Sequence, residues 1–121
     1  MVGGKNGIMD LERLQQNAGR ASELLQAMSN PHRLLILCHL SNGEKCVSAL
    51  EKEIGLSQSA LSQHLALLRK EKLVDTRRKS QSVFYSLSGK EAITIIDTLY
   101  GIYCPKDDAT DSASKLPTKA P

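Results

Sequence analysis

Apolar residues recur at helical spacing along most of this chain, and the period changes only where two short alternating segments interrupt it. Leu11, Leu14, Ala18, Ala21, Leu25 and Met28 predict an amphipathic helix over residues 10–28. Its apolar stripe fits either a monomer core or a partner chain. A second helix, "PHRLLILCHL", restarts at Asn30-Pro31. Asn30 suits a cap, and Pro31 suits a first helical position, where its missing N–H would be unpaired anyway. This helix ends near Asn42-Gly43. Leu34, Leu37, Cys38 and Ser41 lie along one side with Leu35 adjacent, which predicts a largely shielded Cys38. By itself such a thiol reads as an inert part of the core.

The next stretch, Val47 to Leu87, organises the rest. Leu50, Ile54 and Leu56 give a third, short helix and its turn an apolar side, and Gly55 marks the turn. Ser57 is placed to cap a fourth helix, in which Leu61, Leu65 and Leu68 face inward. That is helix-turn-helix logic. The period then switches to two, with Val74 and Thr76 in one segment and Val83, Tyr85 and Leu87 in the other. Between them sits Arg77-Arg78-Lys79-Ser80-Gln81-Ser82, the polar, basic tip of a β-hairpin, or wing. A last helix over about 89–103 carries Ala92, Ile93, Ile95, Ile96, Leu99, Tyr100, Ile102 and Tyr103. It is too apolar all round for a lone surface helix, so it is expected to meet its own domain on one side and another subunit on the other. Ser88 and Glu91 have the spacing of a capping box at its start. Cys104 closes it and Pro105 ends the pattern.

The fold class read from this order is mainly α with a small β-hairpin: a winged helix-turn-helix of four helices, two strands and a closing helix. Residues 1–9 read as a flexible start, 10–104 as one DNA-binding and dimerisation domain, and 105–121 as a disordered, small, polar, proline-containing tail.

The outward side of the fourth helix carries Gln58, Ser59, Ser62, Gln63 and Ala66. Short polar side chains let a helix backbone approach a groove closely, and Gln and Ser bond to base edges. Charge sharpens this. Residues 57–90 hold seven Lys or Arg against two acids, an excess of five, whereas the whole chain is only +3. Residues 91–121 are net −2. Basic charge alone fits a solvated surface, but a basic hairpin directly after a helix-turn-helix points to DNA. Gln58, Ser59, Ser62 and Gln63 are therefore the candidate base readers, and Arg77, Arg78 and Lys79 the candidate phosphate or minor-groove contacts.

Composition narrows the remaining classes. With 121 residues, one Phe and no Trp, the core must be mostly Leu, Ile, Val and Ala, which raises the expectation of an oligomer. No apolar run reaches the roughly 18 residues of a membrane span. The start, "MVGGKNGIMD", lacks a signal peptide's apolar stretch, so a soluble, cytoplasmic protein is expected. Three cysteines do not form a secreted disulfide scaffold. Cys46, just before the third helix, is expected to be the more exposed thiol, and it has no Cys or His nearby in ligand spacing. An enzyme is disfavoured. Ser62, His64 and Cys38 lack an orienting acid, and His64 reads more simply as a packing or capping residue. No cofactor is expected.

"LSQSALSQHLALLRKEKLV" followed by "TRRKSQSVFYSL" resembles the ArsR-family winged-helix repressors over roughly residues 11–104. That resemblance implies a homodimer with the first and last helices (about 11–28 and 89–103) at the interface. It implies double-stranded operator DNA, an imperfect inverted repeat, as partner, and release on sensing an inducer. The family's metal sensors use a close cysteine pair after "NGE", where this chain has only Cys46 followed by Val47 and Ser48. Others use acids and histidines along the last helix, where this chain has Glu91 and Asp97 but no histidine. Metal sensing is therefore disfavoured. The thiol-based branch, of the biofilm-growth and haemolysin-activator type, fits better. Cys38 and Cys104 occupy its two cysteine places. The resemblance implies that oxidants or reactive sulfur species bridge them and so alter the dimer's reading heads. At Lys72 the chain departs from the family, which commonly has glycine in that turn. Two alternatives stay open: a thiolate metal or metalloid site that includes Cys46, and an interaction protein without specific DNA recognition.

Overall fold

The computed structural model describes residues 10–104. The elements in order are α1 (Leu11–Met28), α2 (Pro31–Leu40), β1 (Lys45–Cys46), α3 (Val47–Ile54), α4 (Gln58–Lys70), β2 (Val74–Lys79), β3 (Ser82–Leu87) and α5 (Glu91–Tyr103). This is a winged helix-turn-helix. The expectations for residues 1–9 and 105–121 lie outside the described residues.

The helices start where the sequence supplies caps. Asp10 accepts from the Arg13 N–H, and Asn30 accepts from both His32 N–H and Arg33 N–H. Ser57 accepts from the Ala60 N–H at 3.2 Å. Each occupies donors that the first helical turn leaves unpaired. Gly55 ends α3 in the left-handed region, at φ 87°, a conformation in which glycine avoids a Cβ clash. Arg33 joins α1 to α2: its guanidinium donates to the Ala27 and Gln26 carbonyls at the end of α1.

Leu50, Leu61, Leu65 and Leu68 form the centre of the core with Ile36, Leu37 and Leu40 of α2. Leu73 and Val74 close it from the sheet side, and Ala92 and Ile96 from α5. The buried face of α2 differs from the expected one. Ile36, Leu37 and Leu40 are buried, Leu34 and Cys38 only partly, and Leu35 is exposed. A helix with apolar residues on nearly every side does not declare its inner face by spacing.

Three strands are present instead of the expected two, in the order β1-β3-β2, all antiparallel. The additional β1 precedes α3, where Lys45 and Cys46 pair with Tyr85 and Phe84. Two residues are too few to show alternation. The expected capping box is also absent. Lys90 is the N-cap of α5 and no side chain caps it. The chain passes through Gly89 at φ 78°, and the Ser88 N–H is turned to the Leu73 carbonyl instead.

The exit from α4 is tight. Lys72 sits at φ 63°, while its N–H reaches Arg69 O and the Leu73 N–H reaches Leu68 O. A left-handed conformation costs an L-residue ~1–2 kcal/mol, part of which glycine would give back through its freer unfolded chain. Lys72→Gly is expected to raise stability by about 0.5–1 kcal/mol. Urea unfolding measures this; a lowered midpoint would mean that the turn holds no strain.

Candidate nucleic-acid interface and thiol pair

Burial fixes the rotation of α4. Leu61, Leu65 and Leu68 are 0%, 1% and 0% exposed, so the intervening positions turn outward. Gln58, Ser59, Ser62, Gln63 and Ala66 are all exposed on that outer face. The helix begins with the four candidate readers and ends in Arg69-Lys70, so donors, acceptors and then cations run along it. A side chain on this face can present hydrogen bonds to a base edge without breaking any core contact.

His64 stands between the two faces. Its ring lies 5.8 Å from that of His32, centroid to centroid, tilted by 48°. Burial, then the charges of Arg33 and His32, hold its pKa below the usual histidine value. Its burial and its basic neighbours therefore disfavour the charged imidazole.

The wing is the β2–β3 hairpin. Its ladder runs from Val74↔Leu87 to Lys79↔Ser82, and Ser80 turns at φ 58°. Arg77, Arg78 and Lys79 are exposed at its outer end. Their situations differ. Arg77 is engaged: Nε donates to Glu44 Oε2 at 2.7 Å and Nη2 to Oε1 at 2.8 Å. The same guanidinium lies over the Phe84 ring, 5.4 Å from its centroid. The hydrogen bonds from Arg77, and then its charge, hold the Glu44 carboxyl below the usual range. Among the described residues, Arg78 and Lys79 make no ion pair. Sequence reasoning missed Glu44, which is 33 positions from Arg77; nothing in local spacing joins them. A second tie was missed for the same reason. Glu53 of α3 takes His39 Nδ1 at 2.9 Å and Lys45 Nζ at 3.4 Å, linking α2, β1 and α3.

The three cysteines have different surroundings. Cys38 is partly buried on α2, against the core. Burial pushes its thiol up, and the charge of Cys104 adds to that. Cys104 is exposed at the C-cap of α5, and α2 packs against α5. Cys46 is the N-cap of α3 and is partly exposed. Its Sγ is 3.3 Å from the Ser48 hydroxyl, and that hydrogen bond, followed by the amides at the start of α3, lowers its pKa. Among the described residues no three His, Cys, Asp or Glu side chains gather as a metal-binding group.

The model of the bacterial regulatory proteins of the arsR family matches residues 30–76, the span from the start of α2 into β2. The chain is also 47% identical over 100 residues to the transcriptional activator HlyU of Vibrio cholerae, covering 83% of this chain and 93% of that protein. This chain belongs to the ArsR family. Among solved structures, reduced HlyU from V. cholerae superposes with a TM-score of 0.73 at 47% identity, over 77% of this chain and 98% of that one. The transcriptional repressor BigR from Xylella fastidiosa gives 0.76 at 38% identity, over 79% and 98%. As an ArsR-family member the chain is a DNA-binding transcriptional regulator, and it is not an enzyme. No helix among the described residues is long and apolar enough to cross a membrane.

The thiol environments predict an order of reaction. Thiolate is the nucleophile. A lowered pKa gives Cys46 more of it near neutral pH, and a raised one gives Cys38 less. Limiting iodoacetamide should therefore label Cys46 well before Cys38 in the reduced protein. The gap should narrow as pH rises through the ordinary thiol range and Cys38 ionises too. Peptide mass spectrometry at two pH values checks this; equal rates near neutral pH would refute the assigned surroundings.

Proposed function

We propose that the chain is a homodimeric repressor that binds operator DNA and lets go when Cys38 and Cys104 are bridged by an oxidant or by reactive sulfur species. One observation carries the DNA half. The exposed face of α4, with Gln58, Ser59, Ser62 and Gln63, lies opposite three fully buried leucines in the same domain as a wing bearing Arg78 and Lys79. In this reading α4 enters the major groove and its polar residues read base edges, while the wing cations meet phosphate or the minor groove.

The dimer rests on apolar faces that the monomer leaves open. Leu11, Leu14 and Leu25 of α1 are 66%, 50% and 55% exposed, and Tyr100, Ile102 and Tyr103 of α5 are 48%, 60% and 77% exposed. A second copy meeting through α1 and α5 would cover them. It would place two α4 helices on half-sites of an imperfect inverted repeat about one helical turn apart, ~34–36 Å.

The sensing step balances as follows. Cys104, the exposed thiol, attacks the sulfane sulfur of a persulfide and releases a thiol, leaving a persulfide on Cys104. Cys38 then attacks the Cys104 sulfur and expels hydrogen sulfide. Two cysteine thiols lose two electrons in all, and the reagent leaves as a thiol and hydrogen sulfide. If a second persulfide first converts Cys38 to a persulfide by the same exchange, releasing a second thiol, its outer sulfur attacks the Cys104 sulfur, expels hydrogen sulfide and leaves a bridge longer by one sulfur. The packing of α2, which carries Cys38, against α5, which ends at Cys104, supports this pairing. The bridge would tie α2, which supports the reading helices, to α5, which would build the interface.

Three measurements test the proposal. A duplex selected from a random pool is titrated with wild type and variants at several salt concentrations. Arg78→Ala should lower the salt slope by about one unit, and Gln63→Ala should relax preference at one base position by ~1–3 kcal/mol. Sedimentation at micromolar concentration should give a dimer; a monomer that still binds a palindrome tightly would overturn that part. Operator binding by wild type, C38S, C46S and C104S, reduced and persulfide-treated, tests the switch. Only C38S and C104S should lose the response. Loss in C46S alone would move the sensing site to Cys46.

A further inference from the structure

We propose that Arg77 is a positioning residue: clasped by Glu44 and lying on Phe84, it holds the wing at a fixed angle to α4 and does not itself meet DNA phosphate. This deepens the DNA-binding reading above and rests on it.

The geometry has three parts. First, Arg77 meets Glu44 through two parallel N–H···O bonds, at 2.7 and 2.8 Å. This fork-to-fork contact fixes orientation as well as distance. Second, Glu44 immediately precedes β1, while Arg77 lies on β2, and β3 runs between these strands. The pair therefore spans the width of the sheet. Third, Phe84 of β3 is the ladder partner of Arg77 on one side and of Cys46 on the other. Cross-strand partners project from the same face, so the Phe84 ring supports the guanidinium where it crosses. Arg77 is thus already committed to a carboxylate and an aromatic face. Arg78 and Lys79 make no ion pair among the described residues. Lys79 does act on Glu44 through its charge, but the fork belongs to Arg77.

A hairpin held at its base only by β-ladder bonds can swing. A swinging wing binds DNA with an apparent affinity reduced by the fraction of time it is correctly placed. The clasp keeps that fraction high. Two consequences separate this role from a phosphate contact. Removing Glu44 takes a negative charge away from a DNA-binding surface, which by charge alone should tighten binding; loss of the clasp should weaken it. Likewise, lysine would still serve a phosphate, but it lacks the planar fork and the flat face that the clasp uses.

The experiment measures operator affinity against salt concentration for wild type, E44A, R77A, R77K and R78A, with hydrogen exchange of the β2–β3 amides in each protein without DNA. E44A, R77A and R77K should each weaken binding by roughly threefold to tenfold, leave the salt slope unchanged, and speed exchange in the hairpin. R78A should lower the slope and leave exchange unchanged. The charge-swapped E44R/R77E protein should recover part of the slow exchange. Tighter binding by E44A, a slope lowered by R77A as much as by R78A, wild-type behaviour of R77K, or unaltered exchange in E44A would each overturn the proposal. If the wild type fails to bind any duplex, the DNA-binding reading falls, and the exchange data alone decide whether the clasp holds the hairpin.

Discussion

The burial of Leu61, Leu65 and Leu68 in one core with Leu50, Ile36 and Leu37 sets the rotation of α4, and most of the rest follows from that. Fully burying a leucine is worth ~1.5–3 kcal/mol, so three of them outweigh any local preference of the exposed residues. A rotation by one residue would expose leucines and press Ser62 or Gln63 into an apolar interior. Burying an unpaired amide or hydroxyl there costs ~1–3 kcal/mol more. The polar face is thus outward because no other arrangement is stable. The core fixes where the candidate base readers point before any DNA is present.

The same logic explains which parts of the molecule were legible in the sequence. α1 and α4 have a clear period, and Asp10, Asn30 and Ser57 are chemically suited to the cap positions they occupy. The hairpin was legible because two alternating segments flank a polar tip. Its third strand was not, since Lys45 and Cys46 acquire strand geometry only by pairing with β3. The face of α2 was misjudged because "LLILCHL" is apolar in nearly every direction, and only packing against α3, α4 and α5 selects Ile36, Leu37 and Leu40. Ser88 and Glu91 had capping-box spacing, but a left-handed Gly89 took Ser88 out of place. The departure at Lys72 was visible as a letter, and its meaning, a positive φ, came from the turn itself.

The candidate site was legible to the same depth. The outward residues of α4 follow from period alone. The wing cations were counted as equivalent, because a charge count has no information about partners. Glu44 pairs with Arg77 alone of the three, a difference that the count does not contain. The thiols show a similar limit. Sequence spacing says nothing of how Cys38 and Cys104 are related in space, whereas the fold packs α2, which carries the first, against α5, which ends at the second.

These points together constrain how a signal could reach the DNA-binding surface. The helix-turn-helix is locked by its leucines, β1 is stitched to β3, and Glu53 and Glu44 tie α2, α3 and the wing together. Such a unit offers little room for an internal change of shape, since close-packed interiors move as blocks. The apolar residues of α1 and α5, by contrast, lie open on the monomer. In the proposed dimer those faces set the distance between two rigid reading heads. A bridge from Cys38 to Cys104 would join the rigid block to the interface helix at the end of α5. It could then change the spacing of the heads without disturbing either one. An inverted repeat is sensitive to that quantity, because both α4 helices must enter major grooves on the same side of the duplex. Rigidity within each head and adjustability between heads are therefore complementary requirements of the proposed switch.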